Sequence, residues 1–291
     1  MRLFVTEKPQ LSKNISEILL KNGDCIFSNN SFKYKFDFNN YQQFSTPKYQ
    51  FESKDFLYKV NQYTEDGKMI ISGDFSPDNF VSNYDISKIT EILIATDPDH
   101  AGVRSADFTL DIFSKDFLET TPVNFIKIDY LSDNSIQKAY IKRASYFKDN
   151  LVLKGRKCYQ LKDYLDYNFM GLVKIGKNEY NYLTRNMVWI LLALKDNTQP
   201  LKEYDIFEKM HKNKIGSAAS ISSIYKKILE ENLIDTKGAL TSHGVNFLEK
   251  LNLNEHSFTE FKNINDLVYS DVSLEQGKIS IEIFLKNLFK L

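Results

Sequence analysis

EILIATDPDHAG, residues 91–102, is the stretch of this 291-residue chain that decides its fold. Its opening run, Glu91–Thr96, is almost continuously apolar, which predicts a strand in a sheet that is covered on both faces. Asp97-Pro98-Asp99 ends that strand, and apolar spacing predicts a helix from about Arg104 to Leu118. Strands that alternate with helices indicate a parallel α/β sheet with right-handed crossovers.

Other segments extend the same pattern. Met1–Thr6 is predicted to be a short buried strand, and a helix follows after Pro9. Lys68–Ser72 and Val123–Ile128 are predicted as two further strands. Residues 22–65 show no clear period, and we interpret them as irregular structure with one or two strands. Residues 1–131 are therefore predicted to form an α/β domain.

The rest of the chain is predicted to be mostly α-helical, in two segments. Residues 132–195 are expected to be helical, with breaks near Gly155 and Gly171–Gly176. Residues 196–291 have the outline of a winged helix followed by C-terminal helices. That outline consists of helices at Glu203–His211 and Ser220–Glu231, a β-wing at Leu233–Thr241 and a helix at Ser242–Leu251.

Composition narrows the class of protein. Hydrophobic residues make up 42% and charged residues 26%, which is ordinary for a globular protein. We expect no membrane span and no signal peptide, because no apolar run is long enough and the N-terminus lacks the blocks of a leader. The only two cysteines are far apart, so we expect neither a disulfide framework nor a structural zinc site, and a reducing cytoplasm fits.

Charge is unevenly distributed although its sum is zero. Residues 132–187 contain 11 Lys/Arg and 5 Asp/Glu, a net charge of six, whereas residues 1–131 contain 14 and 19. Seven tyrosines are interleaved with the basic residues: Tyr140, Tyr146, Tyr159, Tyr164, Tyr167, Tyr180 and Tyr182. Basic and aromatic residues together suit a single-stranded nucleic acid. A solvated helical face with its tyrosines in a core would give the same composition, and both interpretations stay open.

Three carboxylates follow predicted strands directly. Glu7 comes after the first strand, and Asp97 and Asp99 come after the strand at Glu91–Thr96. Ligands bind at the carboxyl ends of the strands in open parallel sheets, so these side chains are expected to converge. A cation must offset their repulsion, and Mg²⁺ is the natural candidate, with Mn²⁺ as an alternative. A capped helix and a simple turn would explain Asp-Pro-Asp alone, but they do not explain its combination with Glu7-Lys8-Pro9.

These motifs resemble the type IA DNA topoisomerases, and the topoisomerase III branch in particular. MRLFVTEKPQLSKNISEIL is similar to the opening of that family, and ILIATDPDHAG to its second signature in the Toprim domain. Weaker similarity to the helices of the family's single-strand DNA groove and core continues along most of the chain, in SIQKAY (135–140), LKDYLDYNFMGL…YNYLTR (161–185), YDIFEKMHKNKIGSAASISSIYKKILEENLI (204–234), ALTSHGVNFLEKL and SFTEFKN…LEQGKISIEIFLKNLF.

The resemblance and the basic segment together suggest a set of site residues. Metal ligands are Glu7, Asp97 and Asp99, and Lys8 joins them as a catalytic residue that contacts the same phosphate. Nucleic-acid contacts are assigned to Lys8, His100, Lys142, Arg143, Arg156, Lys157 and Arg185. For His100, a substitute surface residue is the competing interpretation.

The sequence also departs from the family. Ala101 stands where the family has an acid, which puts a second metal subsite in doubt. The family's gate domains, which carry the nucleophilic tyrosine, are replaced here by about 18 residues, Asn186–Glu203. Tyr180, Tyr182 and Tyr204 lie nearby, but none has the family's tyrosine-x-arginine setting.

We therefore predict a reduced Toprim protein that binds DNA, preferably single-stranded, and nicks or hydrolyses phosphodiesters with Mg²⁺. RNA is the alternative substrate. A non-catalytic DNA-binding module is one alternative function. The other is a topoisomerase subunit whose gate is supplied by a partner protein.

Overall fold

A computed structural model describes residues 1–21, 23–28, 35–50, 58–63, 69–75, 85–176, 184–195, 201–212, 215–216, 220–253 and 257–291. The chain divides into two compact units. The first comprises Met1–Phe36 and Tyr49–Tyr159, and the second comprises Asp37–Lys48 and Gln160–Leu291. The three segments predicted from the sequence thus correspond to two units, and the short segment 37–48 belongs with the second of them.

A seven-stranded sheet forms the centre of the first unit. Its strands are β1 (Arg2–Thr6), β2 (Cys25–Ser28), β5 (Tyr58–Tyr63), β6 (Met69–Phe75), β7 (Glu91–Ala95), β8 (Val123–Phe125) and β9 (Ala144–Ser145), while β3 (Lys35–Phe36) pairs with β4 (Tyr49–Gln50) separately. The strand order is β6-β5-β2-β1-β7-β8-β9. The four central strands β2, β1, β7 and β8 are parallel, and β5, β6 and β9 pair antiparallel outside them. The predicted α/β sheet is confirmed, with antiparallel edges that the sequence pattern did not indicate.

Helices cover both faces of this sheet. They are α1 (Pro9–Ile18), α2 (His100–Leu110), α3 (Lys115–Thr120) and α4 (Asp133–Ile141), followed by the start of α5 (Asn150–Gly176). Leu11 and Ile15 of α1 share a buried cluster with Phe4 of β1. Val103 and Ala106 of α2 lie in a different cluster, which contains the neighbouring strand residues Leu3 and Val5. Because side chains alternate along a strand, the sheet buries both faces, which explains its continuous apolar runs.

Two predicted helix boundaries were wrong. The single helix expected over Arg104–Leu118 is two helices, because Ser114 accepts a hydrogen bond from the backbone N–H of Phe117 and caps a new helix. The break expected near Gly155 does not occur, since α5 continues through it. A Cβ on Gly155 would lie 2.8 Å from Val103 and 3.1 Å from the carbonyl oxygen of Pro98. This glycine is needed for close packing.

The second unit is helical in the part that the structure describes. It contains the rest of α5 together with α6 (Arg185–Lys195), α7 (Glu203–Lys212), α8 (Ile221–Glu230), α9 (Ser242–Leu251), α10 (Ser257–Tyr269) and α11 (Leu274–Phe289). Trp189 is fully buried in its core and stacks on Phe261 at 4.5 Å. The segment Asp37–Lys48 packs on α5, where the ring of Tyr41 would lie 2.3 Å from a Cβ on Gly171.

The region predicted to be a winged helix has its helices in the expected places. Helices α7, α8 and α9 match the predicted ranges within one residue at each end. Between α8 and α9, Ile234 and Leu240 form one isolated antiparallel bridge, and Gly238 turns the chain with φ of 76°. The three helices are confirmed, and the assignment as a winged helix stays a prediction. Across the described ranges, no helix is long and apolar enough to cross a membrane.

Candidate functional site at the carboxyl ends of β1 and β7

The candidate site lies where two adjacent parallel strands end. Strand β1 leads into Glu7 and Lys8, and Pro9 starts α1. Strand β7 leads through Thr96 into the Asp-Pro-Asp turn. Register pairs Thr6 with Ala95, so both strands end level with each other. The shared edge explains how Lys8 and Asp97, which are 89 positions apart in the sequence, come together.

Glu7 is the most unusual carboxylate of this edge. Its Oε2 is buried and has no hydrogen-bond partner among the described residues. Burial raises the pKa of Glu7, the negative charges of Asp97 and Asp99 raise it further, and a hydrogen bond from the backbone N–H of Asp97 offsets part of the rise. A buried acceptor without a partner is costly, so this oxygen is suited to a ligand that is a donor or a cation.

Asp97 and Asp99 have different partners. Asp97 accepts a hydrogen bond from Lys8, with 2.5 Å between Nζ and Oδ2, and this bond raises the pKa of Lys8. Asp99 caps α2, since its Oδ1 accepts from the backbone N–H groups of Ala101 and Gly102 at 2.9 and 2.8 Å. The capping residue is therefore Asp99, while Asp97 faces Lys8. Within the described residues, no group of three or more His, Cys, Asp or Glu side chains is arranged to hold a metal ion.

The turn itself is held by close backbone packing. A Cβ on Gly102 would lie 2.2 Å from the carbonyl oxygen of Asp97 and 2.8 Å from its nitrogen. Gly102 thus allows the first turn of α2 to lie directly against the Asp97 backbone. This contact gives a physical reason for the glycine that follows Asp-Pro-Asp in the sequence.

Gly102→Ala is expected to destabilise the first unit by about 1–3 kcal/mol, because the added methyl group must displace the Asp97 backbone. Urea unfolding would measure the change. Ala101→Ser enlarges the neighbouring position by one atom and is expected to stay within about 0.5 kcal/mol of the parent chain. Equal stability of the Gly102 variant and the parent chain would contradict the close packing of this turn.

Three arginines that the sequence assigned to nucleic acid are paired with carboxylates inside the protein. Arg143 Nε lies 2.8 Å from Glu91 Oε1. Arg156 forms two hydrogen bonds of 2.7 Å to Asp107. Because these carboxylates already neutralise them, the two arginines are poorly placed to hold a phosphate as well.

Arg185, the third, is 4% exposed and donates to Asp166 and Asn265 in the second unit. Burial acts to raise the pKa of Asp166, but the cations of Arg185 and Lys162 outweigh it and hold that pKa well below its usual range. Arg185 is therefore part of a core ion pair.

The remaining predicted residues belong to different elements. Lys142 is exposed and follows α4, and Lys157 is half-buried on α5. His100 is the first residue of α2 and is partly buried. Tyr204 is 73% exposed on α7, and Tyr180 and Tyr182 lie outside the described residues. The structure thus places Glu7, Lys8, Asp97 and Asp99 at one edge of the sheet, and it pairs Arg143 and Arg156 with carboxylates of other elements.

Comparison with known proteins gives no independent assignment. No protein-family model matches the chain, and no curated protein is significantly similar to it.

Proposed function

We propose that the chain is a divalent-metal-dependent phosphodiesterase that acts on single-stranded DNA, with a site like that of the Toprim domains of type IA topoisomerases. The observation that carries the proposal is the buried Oε2 of Glu7, which has no described partner and belongs to a carboxylate whose ionisation the charges of Asp97 and Asp99 oppose. Mg²⁺ is the ion that such hard oxygen ligands favour, and Mn²⁺ is the alternative.

The proposal assigns the ion to Glu7, Asp97 and Asp99, which would have to close around it, because the described residues contain no preformed group of metal ligands. Glu7 offers a buried oxygen that needs a positively charged partner. Asp99 uses Oδ1 for its cap, which leaves Oδ2 for a ligand. Asp97 pairs with Lys8, and both side chains are substantially exposed, at 44% and 59%. Ion pairs this exposed contribute about 0–1 kcal/mol, so replacing Lys8 by a metal ion costs little.

Lys8 gains a different partner when Asp97 takes part in metal binding. Its ammonium group would then be available to a phosphate oxygen at the same edge, where Glu7 and Asp97 already hold it by charge. A metal ion bound here supplies stabilisation for the negative charge that develops as a phosphodiester is cleaved. The carboxylates hold the ion, and Lys8 orients the phosphate.

Hydrolysis is the reaction that suits this chain best. A topoisomerase stores the break as a covalent bond to tyrosine, and the resembling enzymes carry that tyrosine on gate domains. Here residues 184–195 at the corresponding place consist mostly of α6, whose side chains are largely buried in the second unit. That helix is used for packing, so the proposed reaction releases the cleaved ends.

The test is incubation of the purified chain with end-labelled single- and double-stranded DNA and RNA, in Mg²⁺, Mn²⁺ or EDTA. We expect cleavage of single-stranded DNA with either metal, none in EDTA, and no protein attached to the ends after denaturation. An adduct on Tyr180, Tyr182 or Tyr204 would indicate a minimal topoisomerase. Binding without cleavage under all conditions would indicate a DNA-binding module.

A further inference from the structure

A groove of about 580 Å³ lies beyond the carboxyl end of β8. This volume is within the range of about 300–1,000 Å³ that is usual for small-ligand sites. Its lining comes from the segment after β8, from α4 and from the chain before α5. Lys127, Lys138 and Lys142 line it together with Tyr130. Three cations and an exposed ring in one groove are suited to an anionic ligand with a flat apolar part.

The acids of the groove already have partners. Asp129 forms an ion pair with Lys127 at 3.4 Å. Asp149 accepts hydrogen bonds from the backbone N–H groups of Leu151 and Val152 and so caps α5. Lys138 and Lys142 are exposed and lie four residues apart, one at the end of α4 and one just beyond it. Like charges at this spacing repel each other, so an anion between them would lower the energy of the groove.

Tyr130 provides the flat apolar surface. It is 75% exposed, and the neighbouring Leu131 is 50% exposed. An exposed ring beside lysines is the combination that binds single-stranded nucleic acid, because bases stack on rings while cations hold the phosphates.

The groove lies at the same edge of the sheet as the carboxylates. Strand β8 is the neighbour of β7, which leads to Asp97, and adjacent strands are about 4.8 Å apart. Asn14 on α1 donates to the carbonyl oxygen of Leu131 at 3.1 Å, which connects the groove to the helix that follows Glu7 and Lys8. A single strand of nucleic acid that lies across the carboxylates can therefore continue into the groove.

We infer that this groove is a nucleotide subsite, in which Lys138 and Lys142 hold a phosphate and Tyr130 stacks on a base of the same single strand. The inference rests on the proposed function for the neighbouring carboxylates, but binding in the groove requires no metal ion. An experiment can therefore distinguish failure of the nucleotide subsite from failure of the cleavage reaction.

The test is binding of fluorescein-labelled oligothymidylate and oligouridylate in EDTA, followed by fluorescence anisotropy at several salt concentrations. Tyr130→Ala is expected to weaken binding about tenfold, and Tyr130→Phe to restore it, since the ring provides the stacking. Lys138→Gln/Lys142→Gln is expected to flatten the salt slope by about 0.7, because the two lysines hold one phosphate and each phosphate that is no longer neutralised removes about 0.7 on single strands. A preference for either oligonucleotide would distinguish DNA from RNA.

The matched control is Lys88→Gln/Lys115→Gln, which removes two exposed lysines of the first unit that do not line the groove. It is expected to leave the slope within about 0.3 of the parent value. Thermal unfolding of every variant checks that the fold is kept. We expect it to be kept, because the substituted side chains are exposed. Parent-like binding by the Tyr130→Ala and lysine variants would overturn the subsite, even if the parent chain cleaves DNA. Loss of binding in these variants supports it, even if no cleavage occurs.

Discussion

Asp107→Ala is expected to lower the free energy of unfolding of the first unit by about 3–5 kcal/mol, the range found when one partner of a buried ion pair is removed. Asp107 accepts two hydrogen bonds from Arg156, both at 2.7 Å. It also accepts from the hydroxyl groups of Tyr146 at 2.9 Å and Tyr159 at 2.7 Å. Without the carboxylate, a largely buried guanidinium and the hydroxyl of Tyr159 lose this acceptor, and the hydroxyl of Tyr146 is left with the carbonyl oxygen of Val103 at 3.2 Å.

Tyr146 and Tyr159 both act as hydrogen-bond donors between neutral and mildly alkaline pH. Burial raises the pKa of Tyr146 and of Tyr159, and the charge of Asp107 raises both further. The hydrogen bond to Asp107 also raises the pKa of Arg156. Because all three donors keep their protons, the network does not change between neutral and mildly alkaline pH.

Urea unfolding with separate probes for the two units would measure the effect. Asp107→Asn keeps the shape of the side chain and is expected to lower the free energy of unfolding by less than Asp107→Ala does. Lys115→Ala, at an exposed position, is the control and is expected to unfold within about 0.5 kcal/mol of the parent chain. Asp107→Leu/Arg156→Met removes both charges and is expected to recover part of the loss. A loss below about 1 kcal/mol for Asp107→Ala would mean that Arg156 contributes little here and could serve nucleic acid instead.

This network also explains why the sequence indicated where the three carboxylates lie but not what the arginines contact. Glu7, Asp97 and Asp99 directly follow strands, and the ends of neighbouring parallel strands meet at one edge. Local pattern alone is sufficient for that inference. The partner of Arg156 lies 49 residues away and is one of 38 acids, and no spacing rule selects it. The positive charge of residues 132–187 could therefore be counted from the sequence, but the carboxylates that neutralise part of it could not be identified.

The fold shows the same distinction. The central strands were predictable because their apolar runs are local, as in β1 and β7. Among the antiparallel strands, β6 coincides with the strand predicted at Lys68–Ser72, whereas β5 was not resolved within residues 22–65, where polar and aromatic residues hide the alternation. The edge strand β9 has only two residues, which is too short for any pattern. Gly155 was wrongly predicted to break the helix. A glycine is needed at this position because Val103, 52 positions away in the sequence, packs against it. Local rules describe a glycine's conformational freedom but not the packing that requires it.

Glu7→Gln is expected to remove the response of the chain to Mg²⁺. In the parent chain, an ion that binds only the folded state stabilises it by mass action, by about 2.7 kcal/mol at a concentration 100 times its dissociation constant. The glutamine removes the buried negative oxygen that the ion needs. The variant should therefore unfold at the same temperature with and without Mg²⁺. Cleavage should fall by about 100-fold or more, which corresponds to losing about 3 kcal/mol of stabilisation of the transition state.

The sign of the effect in EDTA separates a metal site from a structural carboxylate. Burial and the charges of Asp97 and Asp99 oppose ionisation of Glu7, so the neutral amide of the Glu7→Gln variant should leave the metal-free chain as stable as the parent or more stable. Differential scanning calorimetry in EDTA and in Mg²⁺ measures both effects at once. Glu17→Gln, a change at an exposed position of α1 that removes a pair with Lys13 at 4.0 Å, is the matched control and should keep the full response to Mg²⁺. A Glu7→Gln variant that is less stable in EDTA, yet gains as much from Mg²⁺ as the parent, would show that Glu7 supports the fold and binds no metal.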